Sequence, residues 1–392
     1  MPWEEKTVTV SRKEFVERVL GHEKSKSALC REYGISRVTG DKWIERYLKG
    51  ESMEDLSRAP HSHPNKIPIE IEEEIVRMRL KEPALGAKKI KRMMENNNIK
   101  APAKSTINEV LHRNDLITRE ASLAAQHYQR FQREEPNELW QADFKGNFLM
   151  KNGKRCHPLS IIDDCSRFCI CADALPNEQL KCTKEAFTGA FRLYGLPKSI
   201  LCDNGTPWGS SQSTSITNFE VWLMELGILT IHIRPQHPQC QGKVERFNGS
   251  YKRERLKYYV PEDLTDAQRC REEYREFYND VRPHEAIGMD TPSEHYSVSI
   301  REYTDVVKPW DYESGGEMRR VKSSGYLTFR GQGYYLSEGL GDKDVMLYPS
   351  EDEDGVFLVV FREFVVAKLR IGDRTICSRK IFRNHDFLRK NL

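Results

Sequence analysis

The chain has 392 residues, with 62 Lys and Arg against 59 Asp and Glu, a formal net charge of +3 and a pI of about 8.2. A chain of this length is too long for one compact core, and the usual domain size predicts about three units. The weak positive charge is compatible with an anionic partner but does not require one. The longest aliphatic and aromatic run, Val356 to Phe361, is far too short to cross a bilayer.

Cysteine and histidine usage argues against disulfides and zinc. The ten cysteines include no C-x-x-C pair, so no disulfide framework is indicated. The histidines have no matching cysteine partners, which makes a zinc site improbable. The first residues also lack the charged and apolar segments of a secretory signal. We therefore expect a protein of a reducing cellular interior.

Residues 1–50 are predicted to form a helix-turn-helix DNA-binding domain. Apolar residues recur at helical spacing from Ser11 to Gly50. Gly34 suits a tight turn, and Ser36 can cap the third helix. The alternative is an ordinary three-helix bundle with a solvated polar face. The candidate DNA contacts at the start of the third helix are Arg37, Thr39 and Lys42.

A second helical domain is predicted after a linker. Three prolines with several Ser and His mark residues 51–68 as an extended linker. Helical spacing then resumes, and residues 69–132 are predicted to form a second helical, HTH-like DNA-binding domain. The alternative is a helical pair with charged faces. The candidate phosphate contacts of this domain are Lys88, Lys89, Arg92 and Lys104.

Strands and helices alternate from residue 138 onward, which is typical of an α/β layer structure. The expected strands are 139–148, 159–162, 168–172, 199–202 and 229–233. The expected helices include 241–259 and 266–281. Beyond about residue 310 the pattern changes to five short strands with tight turns, which predicts a small all-β barrel over residues 310–392. The five strands are 326–329, 334–336, 345–348, 356–361 and 364–369.

Three acids lie in distinctive strings, which are Trp140-Gln-Ala-Asp143, Asp203-Asn-Gly and Gly242-Lys-Val-Glu245-Arg. Two divalent cations roughly 4 Å apart can activate the attacking oxygen and stabilise the leaving oxygen of a phosphodiester. Magnesium prefers hard oxygen ligands and keeps several waters, so a few carboxylates suffice. These strings therefore predict a magnesium-dependent site that acts on nucleic acid.

The expected elements can bring these acids together. Asp143 lies within a strand, Asp203 follows the end of another, and Glu245 lies in the first turns of a helix. If the two strands are neighbours, the aspartates converge at one sheet edge and the helix places Glu245 above them. Each acid alone also has a structural interpretation, as a strand, turn or helix-face residue. Asp163 is the strongest competitor, whereas Asp164 is expected to have a structural role.

The densest positive stretch surrounds the third acid, since residues 241–260 hold six Lys and Arg against two acids. Such side chains could hold a phosphate backbone, or they could form a solvated helix face. The candidate DNA contacts here are Lys243, Arg246, Asn248, Lys252 and Arg253.

These strings are similar to those of insertion-sequence transposases of the retroviral-integrase superfamily, most closely the bacterial group numbered four-eighty-one. The resemblance covers most of the chain. It implies a multidomain protein with an RNase H-like integrase catalytic core, a mixed sheet with flanking helices, at residues 133–300. Further strings that carry it are Ile161-Ile-Asp-Asp-Cys-Ser-Arg167, Arg282-Pro-His-Glu-Ala286 and Ser57-Arg-Ala-Pro-His-Ser-His-Pro64.

The resemblance implies that Asp143, Asp203 and Glu245 are the catalytic acids of a DDE transposase. They would bind two Mg²⁺ or Mn²⁺ ions, nick element ends and join the freed 3′-hydroxyl to target DNA. The implied partners are the terminal inverted repeats, the target DNA and at least one further copy of the chain. Such a protein would be bacterial, cytoplasmic and nucleoid-associated. One departure is the spacing of 41 residues between Asp203 and Glu245, whose excess falls in a polar segment at 210–217.

Two other functions remain open at this point. A regulator could use only the helical domains while its core has decayed, although the presence of all three acids argues against decay. A structure-specific nuclease on the same fold would cut DNA without joining it. Such a nuclease would have little use for two DNA-reading domains.

Overall fold

The structure is a computed structural model that describes residues 7–55, 67–117, 132–209, 215–232, 241–372, 376–378 and 381–383. The chain divides into two compact units, Met1–Lys66 and Ile67–Leu392. Most of the predicted linker, and residues 210–214 of the predicted loop, lie outside the described residues. Within the described ranges, no helix combines the length and apolar character that crossing a bilayer requires.

The first unit contains the predicted helix-turn-helix. Gly34 adopts a φ of +66° in the turn, a conformation that costs glycine little. The Ser36 hydroxyl then accepts a hydrogen bond from the Thr39 amide at 3.1 Å and caps the third helix. The helices of this unit are α1 (Val8–Leu20), α2 (Lys26–Glu32) and α3 (Arg37–Leu48).

A close helix contact orients α3 within this unit. A Cβ on Gly40 would meet Cys30 Sγ at 2.8 Å and Phe15 Cζ at 3.1 Å. Glycine is therefore required where α3 meets the other two helices. The contact buries one face of α3 and leaves Arg37 and Lys42, in its first two turns, exposed to solvent.

The second unit begins with a three-helix module. Its apolar core includes Ile75, Ile90, Met94, Ile107 and Leu111, all fully buried. The periodicity that predicted a helical domain here therefore corresponds to one shared core. The helices of this module are α4 (Ile69–Lys81), α5 (Ala87–Asn96) and α6 (Lys104–Arg113).

The central sheet is mixed, as the resemblance implied. The strand β3 pairs antiparallel with β1 and β4, whereas β5 runs parallel to both β1 and β6. The expected strand at 139–148 is split, because Gly146 with a φ of +58° turns the chain after Phe144. The strands are β1 (Leu139–Phe144), β2 (Phe148–Leu149), β3 (Arg155–Asp163), β4 (Cys169–Leu175), β5 (Ser199–Cys202) and β6 (Leu229–His232).

Helices cover both faces of this sheet. Alternate residues of each strand point to opposite faces, so Ile161 joins the core on one side and Ile162 the core on the other. The first core packs against α7 (Leu180–Tyr194) and α8 (Asn218–Glu225), and the second against α9 (Gly242–Tyr251) and α10 (Leu264–Glu276). The long helices expected from the sequence continue with π-helical segments, Lys252–Leu256 after α9 and Phe277–Val281 after α10.

The C-terminal part is all-β in its described residues. Its main sheet has the order β13-β12-β11-β10-β7, with β14 against β12, and a separate hairpin joins β8 to β9. Closure of these strands into a barrel stays a prediction. The strands are β7 (Glu317–Arg320), β8 (Tyr326–Phe329), β9 (Gln332–Tyr335), β10 (Asp344–Pro349), β11 (Val356–Phe361), β12 (Phe364–Arg370), β13 (Ile376–Ser378) and β14 (Phe382–Arg383).

Candidate active site

Strand pairing places Asp143 and Asp203 at equivalent positions of two neighbouring strands. In the parallel register of β1 and β5, Gln141 lies opposite Leu201. Asp143 and Asp203 each follow by two residues along their chains. Because parallel strands end at the same edge of a sheet, the aspartates lie beside each other there.

The start of α9 is fixed to β1 by one side chain. The side-chain Oε1 of Gln141 accepts hydrogen bonds from the backbone amides of Lys243 and Val244, each at 3.3 Å. It therefore satisfies amides that the first helical turn leaves without partners. Gln241 donates to the Ala142 carbonyl at 3.2 Å. Glu245 directly follows Val244 in α9. These contacts therefore hold Glu245 over the strand that carries Asp143.

A buried ion pair completes this anchor. Asp164, which is fully buried, accepts a hydrogen bond from Gln141 Nε2 at 2.7 Å and forms an ion pair with the Lys243 ammonium group. Its other oxygen accepts the Arg133 amide at 2.8 Å. Asp164 therefore has a structural role, and Lys243 has a protein partner where the sequence analysis proposed DNA.

The competing acid, Asp163, is also held by the protein. Its Oδ1 accepts the Asn137 amide at 2.8 Å, and its Oδ2 accepts both the amide and the hydroxyl of Ser166, at 2.8 and 2.7 Å. Asp163 is completely buried, and burial raises the pKa of its carboxyl group. With both oxygens satisfied by local donors, Asp163 supports the strand end and has no oxygen left uncommitted for a metal.

The charges of the three proposed acids act on one another. Burial, followed by the charge of Asp203, raises the pKa of Asp143 to about 6, with a smaller contribution from Glu245 and against the opposing effect of Lys145. Asp203 and Glu245 are exposed. The site therefore concentrates negative charge at one partly buried carboxylate and two solvent-facing ones.

This donor set suits a divalent cation that prefers oxygen, since three carboxylates would each gain from a nearby positive charge. In the described part of the chain, however, no three His, Cys, Asp or Glu side chains are gathered closely enough to hold a metal ion by themselves. The charge and chemistry of the donors fit magnesium or manganese, while the described side-chain positions do not form a closed ligand set.

Two further groups support the acids, namely Asn248, which was expected to contact DNA, and His232, for which no role was expected. Asn248 is buried and donates from Nδ2 to Asp143 Oδ2 at 3.1 Å, so it contacts a proposed catalytic acid and not solvent. His232 lies between the Asp203 carbonyl, at 3.0 Å from Nδ1, and Glu220, at 2.8 Å from Nε2. Burial alone would lower the pKa of His232, but hydrogen bonds with Cys202 and Glu220 raise it to about 11. The spacing of three between Glu245 and Asn248 was the available signal for Asn248.

The candidate DNA contacts divide into two groups. Thr39 is partly exposed and shares a hydrogen bond with Ser36 at 2.8 Å. The candidates whose side chains are exposed are Arg37, Lys42, Lys88, Lys104, Arg246, Lys252 and Arg253.

Of the three candidates on α5, Lys88 is exposed, whereas Lys89 and Arg92 are half-buried. Lys88 lies 3.6 Å from Glu285, and Arg92 pairs with Asp290 at 2.8 Å. Burial, followed by the charge of Arg282, lowers the pKa of Lys89 to about 8. Lys88 and Arg92 thus have acidic neighbours within the second unit, and contact of these three residues with phosphates stays a prediction.

Family models match three parts of the chain. Two models described as Integrase core domain match residues 133–238 and 226–292. These matches contain Asp143, Asp203 and Glu245. A model described as Homeodomain-like domain matches residues 39–111, which include most of α3, all of α4 and α5, and most of α6.

Two relatives come from insertion elements. An uncharacterized 31.7 kDa protein of insertion element IS407 from Burkholderia multivorans (strain ATCC 17616 / 249) is 28% identical over 161 residues, which cover 41% of this chain and 55% of that protein. An uncharacterized 39.2 kDa protein of insertion element IS476 from Xanthomonas euvesicatoria is 27% identical over 159 residues, which cover 41% of this chain and 44% of that protein. The match spans about half the length of these relatives.

Solved structures of viral integrases are also similar. The HTLV-2 integrase catalytic core domain in complex with magnesium, in its trimeric form, is 21% identical with a TM-score of 0.33 and covers 41% of this chain and 98% of that chain. A simian T-cell lymphotropic virus intasome in complex with PP2A regulatory subunit B56 gamma is 17% identical with a TM-score of 0.36 and covers 71% of this chain and 93% of that chain.

The mixed sheet, the acids at its edge and the family matches define an integrase-core protein. Residues 133–292 match the integrase core domain. Together with its similarity to insertion-element proteins, this match confirms the resemblance that the motifs of the chain indicated.

We expect Asp143→Asn to stabilise the metal-free protein by about 1–3 kcal/mol near pH 8. A carboxyl group whose pKa is raised in the folded state, here from 3.8 to about 6, destabilises the fold where it is ionised and loses that effect as the pH falls. The advantage of the variant should therefore shrink at about pH 5. Urea unfolding of both proteins at the two pH values measures it, and an advantage that does not change with pH would contradict the assigned electrostatics.

Proposed function

We propose that this protein is a DNA transposase that cleaves transposon ends and joins the freed 3′-hydroxyl to target DNA. The proposal is supported by the placement of Asp143 and Asp203 after paired residues of two parallel strands, and of Glu245 on the helix anchored to the first strand. It is also supported by the pKa of Asp143, which burial, and then the charges of Asp203 and Glu245, raise. Three acids that repel one another at a solvent-facing sheet edge are unfavourable in a purely structural site.

The three acids would hold two Mg²⁺ or Mn²⁺ ions. When bound, such ions activate the attacking oxygen and stabilise the leaving oxygen of an in-line phosphoryl transfer. The chain supplies the positions: Asn248 orients Asp143, and the Gln141 contacts fix the helix that carries Glu245. Asp203 and Glu245 are exposed, as acids that contact a phosphodiester would need to be.

The DNA backbone would be held by basic groups beside this edge and by the helix-turn-helix. Arg246, Lys252 and Arg253 extend from Glu245 along the same helical segment and are exposed. Arg37, Thr39 and Lys42 lie in the first turns of α3, the part of a recognition helix that contacts base edges and phosphates. Lys104 begins α6 of the second module and is also exposed.

The proposed partners are the terminal inverted repeats, the target DNA and a second copy of the chain, because two ends have to be brought together. The C-terminal strands would close into a small barrel that assists this assembly. All three acids are retained, which favours an active enzyme over a regulator with a decayed core.

Asp203→Asn should reduce Mg²⁺-dependent cleavage and joining of element ends by roughly 10³-fold or more, because one ligand of the proposed ions loses its charge. Binding of end DNA should remain, since the helix-turn-helix lies elsewhere in the chain. A matched control is Asp305→Asn, which alters a surface aspartate paired with Arg192. A purified Asp203→Asn protein that still joins ends in Mg²⁺ would overturn the assignment, and a wild-type protein that cuts but never joins would indicate a nuclease.

Arg37→Ala and Lys42→Ala should each weaken binding to end DNA and lower the slope of log affinity against log salt by about 1 per lost phosphate contact. Lys24→Ala is the control, because Lys24 is exposed in the same unit but pairs with Glu32. Fluorescence anisotropy over a salt series measures both quantities. Unchanged affinity and slope in both α3 variants would remove α3 from the DNA interface.

A further inference from the structure

A buried arginine lies behind the proposed active site. Arg271, on α10, is only 1% exposed, and its guanidinium group lies over the Tyr251 ring at 5.1 Å. Its Nη2 donates to the Leu159 carbonyl at 2.8 Å and to the Ser160 hydroxyl at 2.9 Å. In the described part of the chain no carboxylate lies within ion-pair distance of it. Burying a charged group without a nearby counter-charge costs free energy. The hydrogen bonds of Arg271 are therefore needed to stabilise its guanidinium group.

These hydrogen bonds continue to Asp143. Ser160 lies directly opposite Asp143 in the antiparallel register of β1 and β3. The Ser160 Oγ lies 2.7 Å from Asn248 Oδ1, and Asn248 Nδ2 lies 3.1 Å from Asp143 Oδ2. Four side chains thus form one continuous series from α10 to the first proposed catalytic acid.

The guanidinium group of Arg271 determines which group donates and which accepts in each hydrogen bond of the series. A guanidinium group can only donate, so the Ser160 oxygen accepts from Arg271. The single Ser160 proton is then available for Asn248 Oδ1. With its oxygen held in this way, the Asn248 amide presents its NH₂ group to the Asp143 carboxylate. The reversed amide would place two oxygens against each other and would leave the Ser160 proton without its acceptor.

We propose that Arg271 and Ser160 are positioning residues for Asp143, because they set the orientation of the Asn248 amide. The inference deepens the proposed function and rests on it. With the amide fixed, one Asp143 oxygen is held by Asn248, and the carboxylate has one defined orientation toward the ions. Helix α10 therefore contributes to the site, although it comes later in the chain than the helix that carries Glu245. Outer partners of this kind commonly change metal affinity or activity by about 10–100-fold when removed.

The test compares two pairs of variants in the full-length protein. Ser160→Ala removes the hydroxyl. Ser166→Ala is the matched control, because Ser166 is equally buried but donates to the structural Asp163. Ser160→Thr and Ser160→Val form a second pair of nearly equal volume that differs in the hydroxyl alone. The readouts are the rise in thermal midpoint caused by Mg²⁺ and the rate of end cleavage in Mg²⁺ and in Mn²⁺.

We expect Ser160→Ala and Ser160→Val to lose most of the Mg²⁺-induced rise and to cleave about 10–100-fold more slowly in Mg²⁺. Ser160→Thr should restore both readouts. Ser166→Ala should lower the midpoint without Mg²⁺ but keep the full rise when Mg²⁺ is added. If Ser160→Ala does not fold, the Thr and Val variants decide the matter by themselves.

The outcomes separate this inference from the proposed function. Ser160 variants that keep the wild-type Mg²⁺ response, while Asp143→Asn loses it, would overturn the positioning role and leave the transposase assignment intact. Equal Mg²⁺-induced rises and equal cleavage rates of Ser160→Thr and Ser160→Val would also overturn the positioning role. A wild-type protein with neither a Mg²⁺ response nor cleavage would overturn the proposed function, and the positioning role with it.

Discussion

The repulsion between carboxylates at one sheet edge is the constraint on which the site depends. Asp143 is partly buried in β1, and burial, followed by the charges of Asp203 and Glu245, raises its pKa to about 6. A fold that assembles such a group has to hold its acids in place by other interactions. Parallel pairing of β1 with β5 fixes the two aspartates, and the Gln141 side chain fixes the start of α9. Divalent cations would offset the remaining repulsion.

Buried ion pairs connect the rest of the second unit to this site. Arg282 pairs with Glu254 at 2.6 Å, and the Tyr274 hydroxyl donates to the same carboxylate at 2.9 Å. Arg255 binds Glu82 through two hydrogen bonds at 2.7 and 3.0 Å, which joins the second helical module to the segment after α9. A buried carboxylate left without its partner would be strongly destabilising.

The Arg282-Pro-His-Glu-Ala string has a structural explanation in this arrangement. Arg282 is the buried partner of Glu254, and His284 donates from Nε2 to the Tyr278 carbonyl at 3.2 Å. Burial lowers the pKa of His284 to about 2, so the ring is neutral. Glu285 then lies near Lys88 of α5. The string closes the core and provides the surface on which the second module rests.

Structural features that depend on neighbouring residues could be predicted from the sequence. The cap at Ser36, the turn at Gly34 and the strand Ser199–Cys202 depend on a few adjacent residues, and all were predicted from the sequence. The mixed sheet and the superfamily followed from the motifs.

Ion pairs between residues far apart in the chain could not be predicted in the same way. The partner of Lys243 is Asp164, 79 residues away, and the partner of Arg92 is Asp290, 198 residues away. A basic helix that binds phosphate and one that binds a distant acid have the same local pattern. The short strands β7, β13 and β14 were also missed, because they depend on pairing with longer neighbours.

The most direct measurement is a crystal structure of the protein with end DNA and Mn²⁺, in which anomalous scattering locates the ions. The account predicts two Mn²⁺ ions roughly 4 Å apart, with Asp143, Asp203 and Glu245 all among their ligands. Ions bound elsewhere, or any one of these acids more than about 10 Å from the other two with DNA in place, would contradict it.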